Sequence, residues 1–214
     1  MMRVVRHLEP GRRPFRSPVV ALGNFDGLHL GHQAIMRRTI ELASQLGGEP
    51  VAFTFWPHPI KVLAPHRAPE MITSLAARIA ALRDTGMSGA VVRHFTRKFA
   101  SLSPEEFVRD VLVGRLGVAG VVVGYNVTFG RDRMGTPEVL RDLARGYGFA
   151  VDVDTLPKNA KETHRSLFDG SNCGIALDDR PAFSVQHHPE ASPGPQDSHY
   201  LFHRFVEMMD RAKG

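Results

Sequence analysis

Residues 19–33 read VVALGNFDGLHLGHQ, and this stretch decides the fold. Its first four residues are apolar, as in a strand buried on both faces, and a helix is expected after the second histidine. Three glycines and two histidines lie between them: Gly23, Gly27, Gly31, His29 and His32. A strand, a glycine-containing turn and a helix in this order are typical of an α/β domain that presents backbone N–H groups to the phosphates of a nucleotide.

Outward from this stretch, short apolar segments alternate with helical ones, which predicts parallel strands joined by crossover helices. The predicted strands are 19–23, 51–55, 89–93, 120–124 and 149–153. Capping residues indicate where three of the helices begin: Ser74, Ser103 and Thr136. The expected fold class is therefore α/β, a doubly wound parallel sheet whose ligands bind beyond the carboxyl ends of its strands.

The pattern changes after residue 153. Short extended segments are expected at 164–168, 174–177 and 182–186, followed by a Pro-, Gly- and Ser-rich loop at 189–195. A final amphipathic helix at about 197–212 places Leu201, Phe205 and Met208 on one face. We therefore expect two parts, residues 1–153 and residues 154–214.

The composition argues against several kinds of partner and site. The chain of 214 residues has a formal net charge of +5, mostly from arginines scattered on the predicted helix faces, Arg78 and Arg83 among them. No basic run with interleaved aromatic residues is present, so we expect no nucleic-acid partner. The single cysteine, Cys173, excludes an internal disulfide and a zinc site made of cysteines alone. Without a run of about 20 apolar residues or a secretory signal, we expect a cytoplasmic protein and no membrane partner.

The two histidines carry the expected chemistry. A helix N-terminus attracts phosphate through free N–H groups and a partial positive charge, and Gly27 and Gly31 allow close approach of the backbone. His29 and His32 would then donate to phosphate oxygens and offset the charge that develops when a phosphate attacks an α-phosphorus. The pair could instead bind a metal, although the motif offers no third ligand, or either residue could be an exposed side chain without a function.

Four segments, in order, resemble the FMN adenylyltransferase part of the bacterial riboflavin kinase/FAD synthetase family. They are GNFDGLHLGHQ at 23–33, FTFWPHP at 53–59, FASLSPEEF at 99–107 and VVGYNVTFG at 122–130, followed by Arg133 and Gly135. The resemblance covers about the first 150 residues. It implies a nucleotidylyltransferase that transfers the adenylyl group of Mg-ATP to FMN, giving FAD and pyrophosphate.

The resemblance also implies roles for individual residues. His29 and His32 would bind the ATP phosphates and stabilise the transition state, and no residue is expected to be a resident metal ligand. The nucleotide pocket would be formed by Gly23, Asn24, Phe25, Asp26, Gly27, Gly31, Asn126, Phe129, Gly130 and Arg133. The flavin side would be formed by Pro57, His58 and Pro59, with Phe55 or Trp56 stacking on the isoalloxazine ring. For Phe53 and Phe55, packing in the core is the alternative interpretation.

The chain departs from the family pattern in two places. Val127 stands where the family usually has an aromatic residue. The family's Ser-Ser/Thr-x-Ile-Arg segment, which helps to hold substrate, does not occur after the fifth predicted strand, and neither does the riboflavin kinase barrel. We therefore expect no kinase activity and an impaired transferase.

From about residue 148 the chain resembles the end of the small, glutamine-hydrolysing subunit of carbamoyl-phosphate synthetase. The segments are THRSLFDGSN at 163–172 and PAFSVQHHPEASPGP at 181–195. The resemblance implies that His188 is the general base and Glu190 its orienting carboxylate in a Cys-His-Glu triad of a class I amidotransferase. Cys173 does not have the Gly-x-Cys-x-Gly setting of the nucleophile, so the nucleophile is absent.

Three hypotheses follow for the function. The first is an impaired FMN adenylyltransferase, with ATP, Mg²⁺ and FMN as ligands and FAD as product. The second is an incomplete glutamine amidotransferase, whose tail would contact a carbamoyl-phosphate synthetase large subunit. The third is a noncatalytic nucleotide- or flavin-binding fusion product. Both parent sequences fit the strand GFAVD at 148–152, so the join between them is expected there.

Overall fold

The computed structural model describes residues 2–68, 70–154, 160–165, 172–185 and 200–213. Contacts divide the chain into two units, Met1–Asp154 and Thr155–Gly214. Within the described residues, no helix combines the length and the apolar character needed to cross a bilayer.

A six-stranded, all-parallel sheet forms the centre of the first unit, which confirms the predicted fold class. The strands are β1 (Arg3–Val5), β2 (Val19–Leu22), β3 (Pro50–Trp56), β4 (Gly89–His94), β5 (Gly120–Gly124) and β6 (Ala150–Asp154). Their spatial order is β1-β4-β3-β2-β5-β6. The edge strand β1 was not expected from the sequence, because it has three residues and two of them are exposed.

Helices cover both faces of this sheet. They are α1 (Leu30–Gln45), α2 (Pro59–Leu63), α3 (Leu75–Asp84), α4 (Arg97–Ala100), α5 (Pro104–Glu106), which continues as a π-helix (Phe107–Leu116), and α6 (Pro137–Tyr147). The three predicted caps are confirmed: Ser74, Ser103 and Thr136 each accept a hydrogen bond from an N–H in the first helical turn. One core cluster contains Ile35, Met36 and Leu82 from α1 and α3, and the other contains Leu112 and Leu140 from the π-helix and α6.

The strand order reverses at β2. The chain moves from β2 to β3 and β4 on one side of the sheet and then returns to place β5 on the other side of β2. Val20, for example, pairs with Val51 of β3 and with Val121 of β5. In open α/β sheets, ligands bind in the crevice beyond the carboxyl ends of the strands at such a reversal. Here that crevice lies beside the residues that follow β2 and β5.

The last strand of the sheet contains the expected join. Strand β6 pairs in parallel with β5, with Ala150 opposite Gly120 and Asp154 opposite Gly124. On the neighbouring helix, Arg38 Nε donates to Asp152 Oδ2 at 2.7 Å. A strand with the sequence pattern of both parents therefore completes the six-stranded sheet, since pattern and register decide strand pairing.

The second unit contains an antiparallel sheet, β7 (Ala160–Arg165), β8 (Asn172–Leu177) and β9 (Phe183–Val185), and a helix, α7 (Tyr200–Lys213). These elements correspond to the predicted extended segments and the final helix, with bounds shifted by a few residues. On the predicted apolar face of α7, Leu201 is buried, whereas Phe205 is 54% exposed to solvent. The predicted loop at 189–195 lies outside the described residues.

Two glycines test the packing of the sheet. A Cβ atom at Gly89 would lie 2.1 Å from the buried ring of Phe15, whereas one at Gly146, on the exposed side of α6, would meet no atom within 4 Å. We expect Gly89→Ala to lower the free energy of unfolding by about 1–3 kcal/mol through overpacking. Gly146→Ala should raise it by about 0.5 kcal/mol through helix propensity.

Urea denaturation followed by the fluorescence of Trp56, the single tryptophan in the sequence, measures both effects in the first unit. Equal stabilities of the two variants would contradict the packing described for β4.

Candidate functional site

The loop between β2 and α1 lies at the reversal point and contains the predicted phosphate-binding residues. Helix α1 begins at Leu30, and His29 is its N-cap, with Nδ1 accepting from the His32 N–H at 3.4 Å. The first intrahelical bond runs from the Gln33 N–H to the His29 carbonyl at 3.0 Å. The N–H groups of Leu30 and Gly31 precede that bond, so they are available to an anion at the helix N-terminus.

The rings of His29 and His32 are stacked, with their centroids 3.6 Å apart and an interplanar angle of 23°. Phe25, which is fully buried, contacts the His32 ring edge-on at 5.4 Å. Burial, and then the charges of His29 and Arg78, lower the pKa of His32 to about 4, although Asp26 opposes the shift. Burial also lowers the pKa of His29. Both imidazoles are therefore neutral at pH 7.

The hydrogen bonds of the neutral rings decide which nitrogen carries the proton. Because His29 Nδ1 accepts a hydrogen bond from the backbone, its proton is on Nε2, and the described residues provide no hydrogen-bond acceptor for this Nε2–H. Nδ1 of His32 is buried without a hydrogen-bond partner among the described residues. His29 thus offers a neutral N–H donor at the helix N-terminus.

The backbone of this loop has an unusual conformation. Phe25, Gly27 and Leu28 have φ values of 53°, 71° and 36°. Only glycine adopts this region readily, and the two other residues are strained. The rings also pack closely against two glycines: a Cβ at Gly23 would lie 2.9 Å from the Phe25 ring and force it to move, and one at Gly31 would lie 3.3 Å from the His29 ring and require a small shift.

Asp26 anchors the loop between β2 and α1 through its carboxylate. Its carboxylate accepts from the N–H of Ile72 (2.9 Å), the N–H of Thr73 (2.9 Å) and the Thr73 hydroxyl (2.7 Å). Burial raises the pKa of Asp26, but these hydrogen bonds and the charge of Arg78 outweigh it, so the net pKa is lowered. Asp26 is therefore ionised. It connects the loop between β2 and α1, residues 23–29, to the segment before α3, and this loop is called the phosphate loop after its predicted role.

Arg78 lies on α3, but the sequence did not predict that it is buried. Its side chain is fully buried, because α3 turns it toward the phosphate loop. Its Nη2 lies 3.6 Å from Asp26 Oδ1, and its Nη1 lies 3.5 Å from Thr54 Oγ1 and 3.4 Å from the Phe55 carbonyl oxygen. No local pattern distinguishes Arg78 from its neighbours, and only its contacts with distant residues identify it.

His58 connects the predicted flavin side to the phosphate loop. Its Nε2 lies 3.1 Å from Nδ2 of Asn24, and its Nδ1 lies 3.3 Å from the N–H of Ile60, whose helix it caps. A neutral imidazole has one acceptor nitrogen, so it cannot accept both of these bonds. Rotation of the Asn24 amide by about 180° would bring Oδ1, which is buried and has no hydrogen-bond partner in the described part of the chain, to an Nε2–H of His58.

The remaining predicted flavin residues follow β3. Phe55 packs into an aromatic cluster, 5.5 Å from the rings of both Phe53 and Phe95, so much of its surface contributes to the core. A cis peptide bond joins Trp56 to Pro57, and Pro57, His58 and Pro59 are half-buried at the carboxyl edge of the sheet. Burial and then the charge of Arg78 lower the pKa of His58.

The segment after β5 forms the other side of the crevice. A Cβ at Gly124 would lie 3.4 Å from Asn126 Oδ1 and 3.7 Å from Ile35 of α1, so β5 ends beside the first turns of that helix. Phe129 is buried and pairs with Gly135 through two backbone hydrogen bonds. Gly130 (φ 73°) packs against Pro104, and Arg133 Nε donates to Thr128 Oγ1 at 2.9 Å.

The predicted amidotransferase residues, His188 and Glu190, lie outside the described residues. Cys173 lies on β8. In the described part of the chain, no cluster of three or more His, Cys, Asp or Glu residues could hold a metal ion. The carboxylate nearest to the histidine pair in sequence, Asp26, already accepts three hydrogen bonds.

A doubly wound parallel sheet with a histidine pair at the reversal point defines a nucleotidyltransferase-type domain. The family described as FAD synthetase matches residues 12–166, well over half of the sequence, so this chain belongs to the FAD synthetase family. A second family, glutamine amidotransferase class-I, matches residues 135–208. The two matches overlap across α6 and β6, where the join between the two parent sequences was expected.

Curated relatives confirm the origin of the C-terminal part. The carbamoyl phosphate synthase small chain of Mesorhizobium japonicum is 68% identical over 72 residues, which are 34% of this chain and 18% of that protein. The corresponding small chain of Bradyrhizobium diazoefficiens is 72% identical over 67 residues, 31% of this chain and 17% of that protein. The chain thus spans less than a fifth of the length of these relatives.

A solved structure supports the fold. The crystal structure of a macrolide-efflux protein from Streptococcus pneumoniae superposes with a TM-score of 0.60 and 25% sequence identity. The alignment covers 72% of this chain and 52% of that one.

The lowered pKa of His32 makes stability depend on pH. Between pH 6.5, the ordinary histidine value, and about pH 4, the unfolded chain binds a proton at His32 that the native chain does not. The free energy of unfolding should therefore fall as the pH decreases through this window and level off below it. His29 and His58, whose pKa values are also lowered, add to the same trend.

We expect His32→Gln to reduce the slope of the free energy of unfolding against pH by the amount that corresponds to about one bound proton. Urea denaturation at a series of pH values, followed by Trp56 fluorescence, gives the slope. His7→Gln, at an exposed position before β2, is the matched control. An unchanged slope in His32→Gln would show that His32 is protonated in the native protein at the same pH as in the unfolded chain.

Proposed function

We propose that the first unit transfers the adenylyl group of ATP to FMN, giving FAD and pyrophosphate. The observation that carries this proposal is the stacked, neutral pair of His29 and His32 at the N-terminus of α1, at the point where the strand order reverses. Membership of the FAD synthetase family supports the choice of FMN as acceptor.

In this reaction the triphosphate of ATP lies against the N-terminus of α1. The N–H groups of Leu30 and Gly31 and the Nε2–H of His29 donate to its non-bridging oxygens. A phosphate oxygen of FMN attacks the α-phosphorus, a new P–O bond forms, and the bond to the β-phosphate oxygen breaks with release of pyrophosphate. His29 and His32 stabilise the negative charge that develops on the α- and β-phosphates, and no covalent enzyme intermediate is needed.

The acceptor would lie toward the end of β3. Pro57, His58 and Pro59 are half-buried there, and His58 is within hydrogen-bonding distance of Asn24 in the phosphate loop. A flavin bound against this segment would therefore have its phosphate directed toward the histidine pair. Phe55 supports this surface from the aromatic cluster below it, and Trp56 offers a ring for stacking.

The nucleotide pocket would be completed by Asn126 and Arg133 after β5. Asn126 is adjacent to Gly124 at the carboxyl edge, and Arg133 supplies positive charge on the same loop. Mg²⁺ would enter with ATP and be held mainly by the phosphates, since Mg²⁺ commonly uses few protein ligands, and Asp26 is already occupied.

We propose that the transfer is slow relative to that of a complete FAD synthetase. After β6 the chain has amidotransferase-like sequence in place of the family's Ser-Ser/Thr-x-Ile-Arg segment. The arginine and hydroxyl groups of that segment are therefore missing from the substrate side, and misplacement of the acceptor reduces the rate of an oriented reaction.

His29→Ala and His32→Ala should each lower the rate of FAD formation by about 100-fold, because each removes a donor from the developing charge. The assay incubates the purified full chain with FMN and Mg-ATP and follows FAD and pyrophosphate by chromatography. His7→Ala, the exposed control, should keep the rate of the unsubstituted chain. Equal rates in all four proteins would refute the role of the histidine pair.

Titrations with FMN and with a nonhydrolysable ATP analogue separate transfer from binding alone. Binding of both ligands without FAD formation would show a noncatalytic nucleotide- and flavin-binding protein, and absence of ATP binding would refute the proposed site. We expect both ligands to bind.

The match to the glutamine amidotransferase family suggests a second candidate function, glutamine hydrolysis by the tail. We expect no ammonia release from glutamine, because Cys173, the single cysteine, lies in an Asn-Cys-Gly setting on β8 and not in the setting of a nucleophile. Ammonia release that is lost in Cys173→Ser would contradict this expectation. A contact with a carbamoyl phosphate synthase large subunit is the partner interaction that the tail would support, and co-purification tests it.

A further inference from the structure

We propose that Arg78 is a positioning residue that fixes the phosphate loop relative to the segment after β3, and thereby sets the KM for FMN. The effect on the KM for FMN rests on the proposed function. The fixing of the phosphate loop by Arg78 does not, and it can be tested without substrate.

Arg78 contacts both sides of the site. One side is Asp26 of the phosphate loop, 3.6 Å from Nη2. The other side is the end of β3, where Nη1 lies 3.5 Å from Thr54 Oγ1 and 3.4 Å from the Phe55 carbonyl oxygen. The guanidinium carbon also lies 5.9 Å from the centroid of the Trp56 ring. One planar group thus connects the loop that would hold ATP to the strand that leads to Pro57 and His58.

The neighbouring hydrogen bonds extend this connection in both directions. Thr54 Oγ1 donates to the Asn24 carbonyl oxygen at 2.9 Å, and Asn24 in turn contacts His58. Asp26 accepts from Ile72 and Thr73 ahead of α3. A displacement of Arg78 would therefore change the positions of the phosphate loop and of the His58 segment relative to each other.

The energetics argue against a purely stabilising role. The Arg78 side chain is completely buried, yet its Nε and Nη2 have no hydrogen-bond partner within the described residues. A buried guanidinium whose Nε–H and Nη2–H groups lack hydrogen bonds is costly, and replacing a whole buried ion pair by apolar side chains is often neutral for stability. Removing Arg78 alone, however, also leaves the Asp26 carboxylate without its cation. A planar guanidinium can contact two segments of the chain at once, and an apolar side chain cannot replace these polar contacts.

The test uses three variants of the full chain. Arg78→Met removes the guanidinium group. Arg78→Lys keeps a positive charge that can reach Asp26, but its single ammonium group cannot contact the Phe55 carbonyl oxygen at the same time. Arg83→Met, on the exposed side of the same helix, is the matched control. Hydrogen exchange of the ligand-free protein is measured at Ile72 and Thr73, whose N–H groups bond to Asp26, and at Ile60, whose N–H bonds to His58.

In Arg78→Met, exchange should become about tenfold faster at all three amides, with exchange in α6 unchanged. In Arg78→Lys it should become faster at Ile60 but remain as in the unsubstituted chain at Ile72 and Thr73. Arg83→Met should change none of them. Unchanged exchange at all three amides in Arg78→Met, or faster exchange throughout the first unit including α6, would overturn the positioning role.

The kinetic arm tests the consequence for substrate. In both Arg78 variants the KM for FMN should rise by about tenfold, while the KM for ATP stays within about twofold of its original value. Equal rises in the two KM values would overturn the link to FMN. If the unsubstituted chain forms no FAD and binds no ATP, the proposed function fails, and the exchange experiment still decides the role of Arg78.

Discussion

The pairing of β2 with β3 on one side and with β5 on the other is the constraint on which the rest of the structure depends. It places the residues after all three strands at one edge of the sheet and opens a crevice between them. Helix α1 begins in that crevice, so its N-terminal amides and the His29–His32 pair lie where a phosphate chain can bind. Each proposed substrate contact follows from this placement.

A buried polar network maintains the shape of the crevice. Asp26 connects the phosphate loop to Ile72 and Thr73, and Arg78 connects Asp26 to the end of β3. The same environment keeps His32 neutral, since burial and the positive charge of Arg78 disfavour its protonated form. Positioning and electrostatics are therefore coupled: the groups that hold the loop in place also determine the charge of the histidine that is proposed to contact ATP.

Local patterns in the sequence predicted five of the six sheet strands, the helix caps and the turn between β2 and α1, because each of these is encoded by adjacent residues. They did not predict β1, whose three residues form a strand only by pairing with β4. They also did not predict the burial of Arg78, because it depends on Asp26, Thr54 and Phe55, which are distant in sequence. The contact between Asn24 and His58 is likewise tertiary, although both residues were predicted individually as parts of the site.

The most direct test of this account is an amide NMR titration of the full chain with a nonhydrolysable ATP analogue and Mg²⁺. We expect the largest shifts at the N–H groups of Leu30 and Gly31, together with a rise in the pKa of His32 when the triphosphate binds. Saturable binding that leaves these amides and the His32 ring unperturbed, or binding confined to residues of the second unit, would contradict the claim that the N-terminus of α1 holds the phosphates.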